Sequence, residues 1–360
     1  MKMSYPEKFQ GIAVTDNNNW LNPKKISFEP KKFLPNDIDI KIAACGVCGS
    51  DTHTAASRWG ACPKNQIVGH EIIGHIVKLG PNCDKSWKIG QRVGVGAQSG
   101  SCLNCDRCET QNEPYCPHTI LTYTSKYDDG YISQGGYASH ARVHEHFVIP
   151  IPDELPTNFA APLLCGGVTV FSPLLRHGCG PGKKVGIIGI GGIGHMGIMI
   201  AKAMGAEVYA FSRGENKRSD AMKLGADHYF ATGTEGWDKD LFNTLDLVVI
   251  CASSLTDINL DQYINIMKIG GMIQSISIPN FTEKLVLSPF SLVGVNIGNS
   301  HIGSPHEIKL LLDLMATNGI KPWIETIQIN ETGVNEAWTR MEKGDVKYRF
   351  VLTDFDSEFK

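Results

Sequence analysis

The chain has 360 residues, 42% of them apolar and 20% charged, and a formal net charge of -3. That length exceeds what one hydrophobic core usually covers, so two domains are expected. The near-neutral charge speaks against a nucleic-acid or anionic-membrane partner.

The N-terminal MKMSYPEKFQ leads into polar sequence with no apolar core of a signal peptide, and the C-terminal DSEFK carries no sorting signal. The longest weakly charged run, VGIIGIGGIGHMGIMIA at 185–201, is short for a membrane span and holds six glycines and His195. A nucleotide-binding turn explains it better. Eleven cysteines, an odd number, without a secretory leader favour thiolate ligands over disulfides and a cytoplasmic location.

The first 150 residues read as β-rich. IDIKIAACG (38–46), HEIIGHIVKLG (70–80), GQRVGVG (90–96) and GGYASHARVHEHFVIPIP (135–152) are short apolar or alternating runs punctuated by Gly, Pro and Asn. A barrel-like domain with long functional loops is expected. From about residue 165 the texture changes. KKVGIIGI (183–190), EVYAFSR (207–213), LDLVVICA (245–252), GGMIQSISI (270–278) and VGVNIG (293–298) read as strands. IGHMGIMIAKAMGA, NKRSDAMKLGA and IKLLLDLMATNG read as helices. This alternation predicts an α/β fold with a parallel, doubly wound Rossmann sheet. The segment from about 324, ending in YRFVLTDF, reads as short strands that rejoin the first domain. The expected domains are 1–155, 156–323 and the return segment 324–360.

Gly189-Ile190-Gly191-Gly192-Ile193-Gly194 forms a G-x-G-G-x-G turn between a strand and a helix. Gly189 permits the tight turn, Gly191 lets backbone approach a pyrophosphate, and Gly194 lets the helix pack on its strand. The helix N-terminus supplies donors and partial positive charge to the phosphates. An NAD site places Asp or Glu at the end of the next strand. Here that strand ends in Phe211-Ser212-Arg213, with Lys217 and Arg218 following and Glu215 too late to substitute. Hydroxyl and guanidinium suit an extra phosphate, so the cofactor is read as NADP(H).

Cys102, Cys105, Cys108 and Cys116 form C-x2-C-x2-C-x7-C. Four thiolates this close can close a tetrahedral site with no open position, which predicts a structural zinc, with an iron–sulfur cluster as the alternative. Cys48, His70 and Cys165 are dispersed. Two thiolates and an imidazole would balance Zn²⁺ and leave a fourth position for substrate oxygen. Spacing alone does not join them: Cys45 competes with Cys48, and C-x-x-C also permits a redox pair.

GHEIIGHIVKLG, the four-cysteine run, LLCGG and GIGGIG occur in the order of the zinc-containing medium-chain alcohol dehydrogenases, and the likeness covers nearly the whole chain. CGVCGSDTH, SQGGYASH and APLLCGGVTVFSPL resemble the cinnamyl-alcohol dehydrogenase branch, most closely its fungal NADPH-dependent members. The resemblance implies a GroES-like catalytic domain joined to the Rossmann domain. It implies Cys48, His70 and Cys165 as catalytic-zinc ligands, with Cys45 a neighbouring thiol and Glu71 a conditional fourth ligand. Asp51 matches the partner that orients the ligand histidine. Ser50 and His53 match a proton relay, and Thr169 a position beside the nicotinamide.

Gly49 departs from relatives that carry Arg or His there to reach the pyrophosphate; His195 is the nearest compensator. Trp59, His301 and Ile302 fall at expected pocket positions. The implied reaction is hydride transfer between NADPH and aromatic or medium-chain aliphatic aldehydes, in a homodimer joined at the Rossmann sheet edge. An NAD-dependent polyol dehydrogenase would want a carboxylate where Ser212 stands. A catalytically silent dinucleotide-binding protein would be expected to lose the ligands. A zinc-finger interaction module does not account for the Rossmann half.

Overall fold

The computed structural model describes residues 5–252, 258–278 and 294–360. The chain divides into two compact units, Met1–Cys165 with Ser304–Lys360, and Gly166–Gly303.

The first unit is built on a seven-stranded sheet, ordered Ile324–Gln328, Arg349–Thr353, Asp37–Val47, Ile72–Leu79, Arg92–Val95 and Ile149–Pro150, with His140–His144 also paired to Asp37–Val47. Asp37–Val47 is the central strand. Its isoleucines Ile38, Ile40 and Ile42 enter a core with Ile72, Ile76, Val93, Val95, Tyr137, Trp338 and Phe350. Burial of such branched residues on a pleated surface drives this arrangement. The register matters for function. Cys45 pairs with Ile72 on one side and Leu352 on the other, both antiparallel. The residues just beyond, Cys48, His70 and Arg349, therefore collect at one end of the sheet.

The second unit is a six-stranded parallel sheet, ordered His228–Ala231, Glu207–Ser212, Lys184–Ile188, Leu245–Ile250, Met267–Ser275 and Asn296–Asn299. The order reverses between Lys184–Ile188 and Leu245–Ile250, the switch point where such sheets take dinucleotides. The strand expected over 293–298 appears at Asn296–Asn299, and Val293 lies outside the described residues.

Three details differ from the sequence reading. The divide falls at 165/166 and 303/304 rather than at 155 and 323. Leu164 packs over Gly94 and Gly96, and Ile308 of helix Pro305–Thr317 reaches Gly96, so both segments belong to the first unit. The return segment is not all strand: Glu331–Glu342 is a helix, capped by the Asn330 side chain, and it buries Val334, Ala337 and Trp338. His228–Ala231 is an additional strand at the sheet edge. Among the described residues no single helix is long and apolar enough to cross a membrane.

Candidate active site

The loop after Gln98–Gly100 brings the Cys102, Cys105, Cys108 and Cys116 thiols together. Their Sγ atoms stand 3.5 Å (Cys102–Cys116), 3.6 Å (Cys105–Cys108) and 3.9 Å (Cys102–Cys108, Cys105–Cys116) apart. A tetrahedron with Zn–S bonds of about 2.3 Å has edges of about 3.8 Å, so the four sulfurs fit a single zinc. None is a disulfide. The His118 backbone N–H donates to Cys116 Sγ at 3.3 Å, the kind of contact that supports a thiolate.

The dispersed residues also converge. Ligand atoms of Cys48, His70, Glu71 and Cys165 all lie within 4.8 Å of one another, and all four residues are buried. Cys45 is outside this group; its thiol faces the Gly46 carbonyl at 3.5 Å. His70 Nε2 is buried with no hydrogen-bond partner, which is costly unless an ion takes that lone pair. Two thiols, an imidazole with an open nitrogen and a nearby carboxylate form a donor set that fits zinc.

Charge balance at this cluster involves a residue the sequence did not single out. Arg349 is buried and hydrogen-bonds Glu71 Oε1. Burial pushes the Glu71 carboxyl up, and the Arg349 guanidinium opposes that shift. The Cys48 thiol is held well below its usual range, first by a hydrogen bond with Cys165 and then by His70, against the effect of burial. Burial draws His70 down, but Asp51 and Cys48 outweigh it and leave the imidazole above its ordinary value. Protons held this way are released when a metal binds.

Asp51 is the hub behind the ligands. Its carboxylate accepts from Cys48 N at 2.9 Å, Gly69 N at 3.1 Å and Tyr137 Oη at 2.9 Å, and stands 3.9 Å from His70 Nδ1. Tyr123, also unforeseen, stacks on the His70 ring at 5.2 Å between centroids. Ser50 and His53 lie three apart on helix Gly49–Ala55, which starts directly after Cys48. Ser50 Oγ is 3.7 Å from Cys48 Sγ. Trp59 stacks on His53 at 4.7 Å rather than standing alone. Burial and the nearby Arg58 lower the His53 pKa.

In the second unit, Gly189 has a positive φ of 87° and sits so close to Ala252 that a Cβ would lie 2.9 Å from its nitrogen. A Cβ on Gly191 would meet nothing within 4 Å, so the turn leaves open space where a pyrophosphate would lie. Gly192 completes the turn, and helix Gly194–Ala203 begins at Gly194. Ser212 ends its strand and Arg213 stands exposed beyond it. Lys217 donates back to the Ile190 carbonyl, tying it to the glycine turn. Arg218 is engaged by Glu215 at 2.6 Å and lies over the Tyr229 ring. His195 is fully buried with Nδ1 3.2 Å from the Gly191 carbonyl, so its ring faces the turn's own backbone. Thr169 is buried on helix Gly166–Arg176, and His301 is partly buried.

A model of the alcohol dehydrogenase GroES-like domain matches residues 34–153, and one of the zinc-binding dehydrogenases matches 192–317. The chain is 59% identical over 358 residues to NADP-dependent alcohol dehydrogenase 6 of Saccharomyces cerevisiae, covering 99% of each. The chain belongs to the zinc-containing medium-chain alcohol dehydrogenases. It is 37% identical to cinnamyl alcohol dehydrogenase 8 of Arabidopsis thaliana over 95% of this chain and 94% of that one. Its structure matches a cinnamyl alcohol dehydrogenase of Sorghum bicolor with a TM-score of 0.89 at 32% identity, covering 96% and 97% of the two chains. A Helicobacter pylori enzyme of that type, solved with NADP(H), matches with a TM-score of 0.86 at 31% identity, covering 96% and 98%. In this alcohol dehydrogenase the GroES-like and Rossmann-like halves expected from the sequence are both present.

Proposed function

We propose that this zinc- and NADP-dependent alcohol dehydrogenase works chiefly as a reductase of aromatic, cinnamyl-type and medium-chain aliphatic aldehydes. The observation that carries the reading is the buried meeting of Cys48, His70 and Cys165 around an imidazole nitrogen without a protein partner. These three would hold the catalytic zinc, and Cys102, Cys105, Cys108 and Cys116 the structural one. When bound, zinc and NADPH supply a Lewis acid and a hydride.

The chain's own residues do the rest. Asp51 fixes the loops of Cys48 and His70 through their backbone neighbours. Arg349 holds the Glu71 carboxylate beside the ligands, where it would serve as the conditional fourth ligand. Ser50 would deliver a proton to the product oxygen, and His53, one helical turn on, would replenish it through the cofactor ribose. Gly189, Gly191, Gly192 and Gly194 shape the pyrophosphate turn, while Ser212 and Arg213 take the extra phosphate and Lys217 braces the turn beside them. Thr169 stands beside the nicotinamide. The enzyme is cytoplasmic, where NADPH is kept reduced, and a homodimer through the edge strand Asn296–Asn299.

An NADPH-oxidation screen over cinnamaldehyde, benzaldehydes and aliphatic aldehydes, with NADH as control, tests the reading. Turnover with NADPH far above NADH is expected, and Arg213→Asp reverses that preference. Equal use of both cofactors, or preference for polyols, overturns it.

A further inference from the structure

We infer that Tyr137 is a positioning residue for the catalytic metal site, acting through the Asp51 carboxylate. The inference rests on the assignment of Cys48 and His70 as ligands.

Tyr137 lies in SQGGYASH, a motif that neither metal binding nor the cofactor turn accounts for. Its side chain is fully buried. Its hydroxyl donates to Asp51 Oδ2 at 2.9 Å, the same oxygen that accepts from the Cys48 amide at 2.9 Å. The other oxygen, Oδ1, accepts from Gly69 N at 3.1 Å and faces His70 Nδ1. One carboxylate thus joins the start of the Cys48 helix to the backbone immediately before His70. Tyr123 also reaches this carboxylate, and Tyr137 donates to the oxygen shared with the Cys48 amide, which ties the carboxylate's rotation to the ligand loop.

The tyrosine is itself held rigidly. Gly135 N donates to Ile67 O at 2.8 Å, Gly136 N to Gly69 O at 2.7 Å, and Tyr137 N to Val68 O at 3.0 Å. These three bonds zip the motif along residues 67–69, the approach to the ligand pair His70-Glu71. Gly69 has φ 101°, and a Cβ there would lie 2.5 Å from the Tyr137 ring. Ring and backbone are therefore packed without slack. Trp338 backs the ring at 6.2 Å between centroids. A buried carboxylate that loses one of its donors must rotate or draw on its remaining partners, and both alternatives move a ligand.

Tyr137→Phe keeps the ring and removes only the donor. In the full-length holoenzyme, release of one zinc to a chelator such as 4-(2-pyridylazo)resorcinol should quicken roughly tenfold, the lower end for groups that orient ligands. The second zinc, held by Cys102, Cys105, Cys108 and Cys116, should leave at the wild-type rate. With cobalt at the catalytic site, the ligand-field bands should shift. kcat should fall while KM for NADPH stays unchanged. Tyr209→Phe, which removes another buried tyrosine's bond, to Glu207, serves as the control and should alter neither zinc. On an Asp51→Asn background, Tyr137→Phe should add little.

Unchanged release and unchanged cobalt bands in Tyr137→Phe overturn the inference. So does equal acceleration of both zincs, which marks general loosening, or full additivity with Asp51→Asn. Wild-type protein with fewer than two zincs would instead sink the ligand assignment itself, so the two failures are separable.

Discussion

The molecule holds two sulfur-rich clusters in one structural unit, and they are built on opposite plans. Cys102, Cys105, Cys108 and Cys116 come from one short loop, with Cys102 and Cys105 partly exposed. Cys48, His70, Glu71 and Cys165 come from separate segments and are buried throughout. Four thiolates leave a bound zinc at a charge of about -2, tolerable near solvent and unsuited to accepting a substrate lone pair. In the buried cluster two thiolates would neutralise a bound zinc, and Arg349 offsets Glu71. That set carries less negative charge than four thiolates and would leave a coordination position for substrate. Burial and ligand charge together separate a staple from a reactive centre.

The largest expected effect breaks the reactive side of this contrast. Cys48→Ala should lose one of two zincs and lower kcat by about a thousandfold or more, since Lewis-acid stabilisation is worth several kcal/mol. NADPH binding, followed by cofactor fluorescence, should persist. Cys105→Ala should also lose one zinc but act on stability: a cost of about 2–3 kcal/mol lowers Tm by roughly 3–6 °C, read by calorimetry. If its folded fraction were inactive, the division of labour between the clusters would fail.

His53→Gln should lower kcat for aldehyde reduction roughly ten- to a hundredfold and remove an ionisation from the pH profile. The same residue has a stability signature. Its folded pKa lies below the ordinary 6.5, chiefly through burial. Below pH 6.5 the unfolded chain binds the proton before the folded one does. Stability therefore rises with pH across that window and is lost on acidification. Denaturant titrations of His53→Gln should show a flatter slope there. The smallest effect is expected of Cys45→Ala: both zincs retained, kcat within about twofold, and a cost of about 1 kcal/mol from the small cavity. Loss of a zinc would show that Cys45, not Cys48, is the ligand.

The two clusters also differ in how far the sequence exposes them. The four-cysteine loop can be read from spacing because its ligands are neighbours in the chain. The second cluster needed the family resemblance, since Cys48 and the His70-Glu71 pair meet through the pairing of Asp37–Val47 with Ile72–Leu79, and Cys165 arrives from a segment remote in the chain. Arg349 is one basic residue at the head of an apolar strand, and nothing local marks it as the partner of Glu71. Tyr123 and the Tyr137 hydroxyl are likewise silent until the ligands have a position. Helix Glu331–Glu342 was within reach. Asn330 followed by Val334, Ala337, Trp338 and Met341 gives a cap and a helical stripe, overshadowed by the strand-rich ends of the return segment. The glycine turn was legible because its strand and helix are contiguous with it. Lys217 was not placed as well, because its reach back to Ile190 depends on where the next helix begins.

The pairing of Glu71 with Arg349 spans 278 residues, with the whole second unit inserted between them. On a growing chain the four-cysteine loop has all its thiols as soon as Cys116 clears the ribosome. Arg349, the partner of Glu71, takes its place only once the return segment has been synthesised and has docked beside the central strand. The thiols and imidazole of the reactive cluster are in the chain by Cys165, and the countercharge of Glu71 is the last part to arrive.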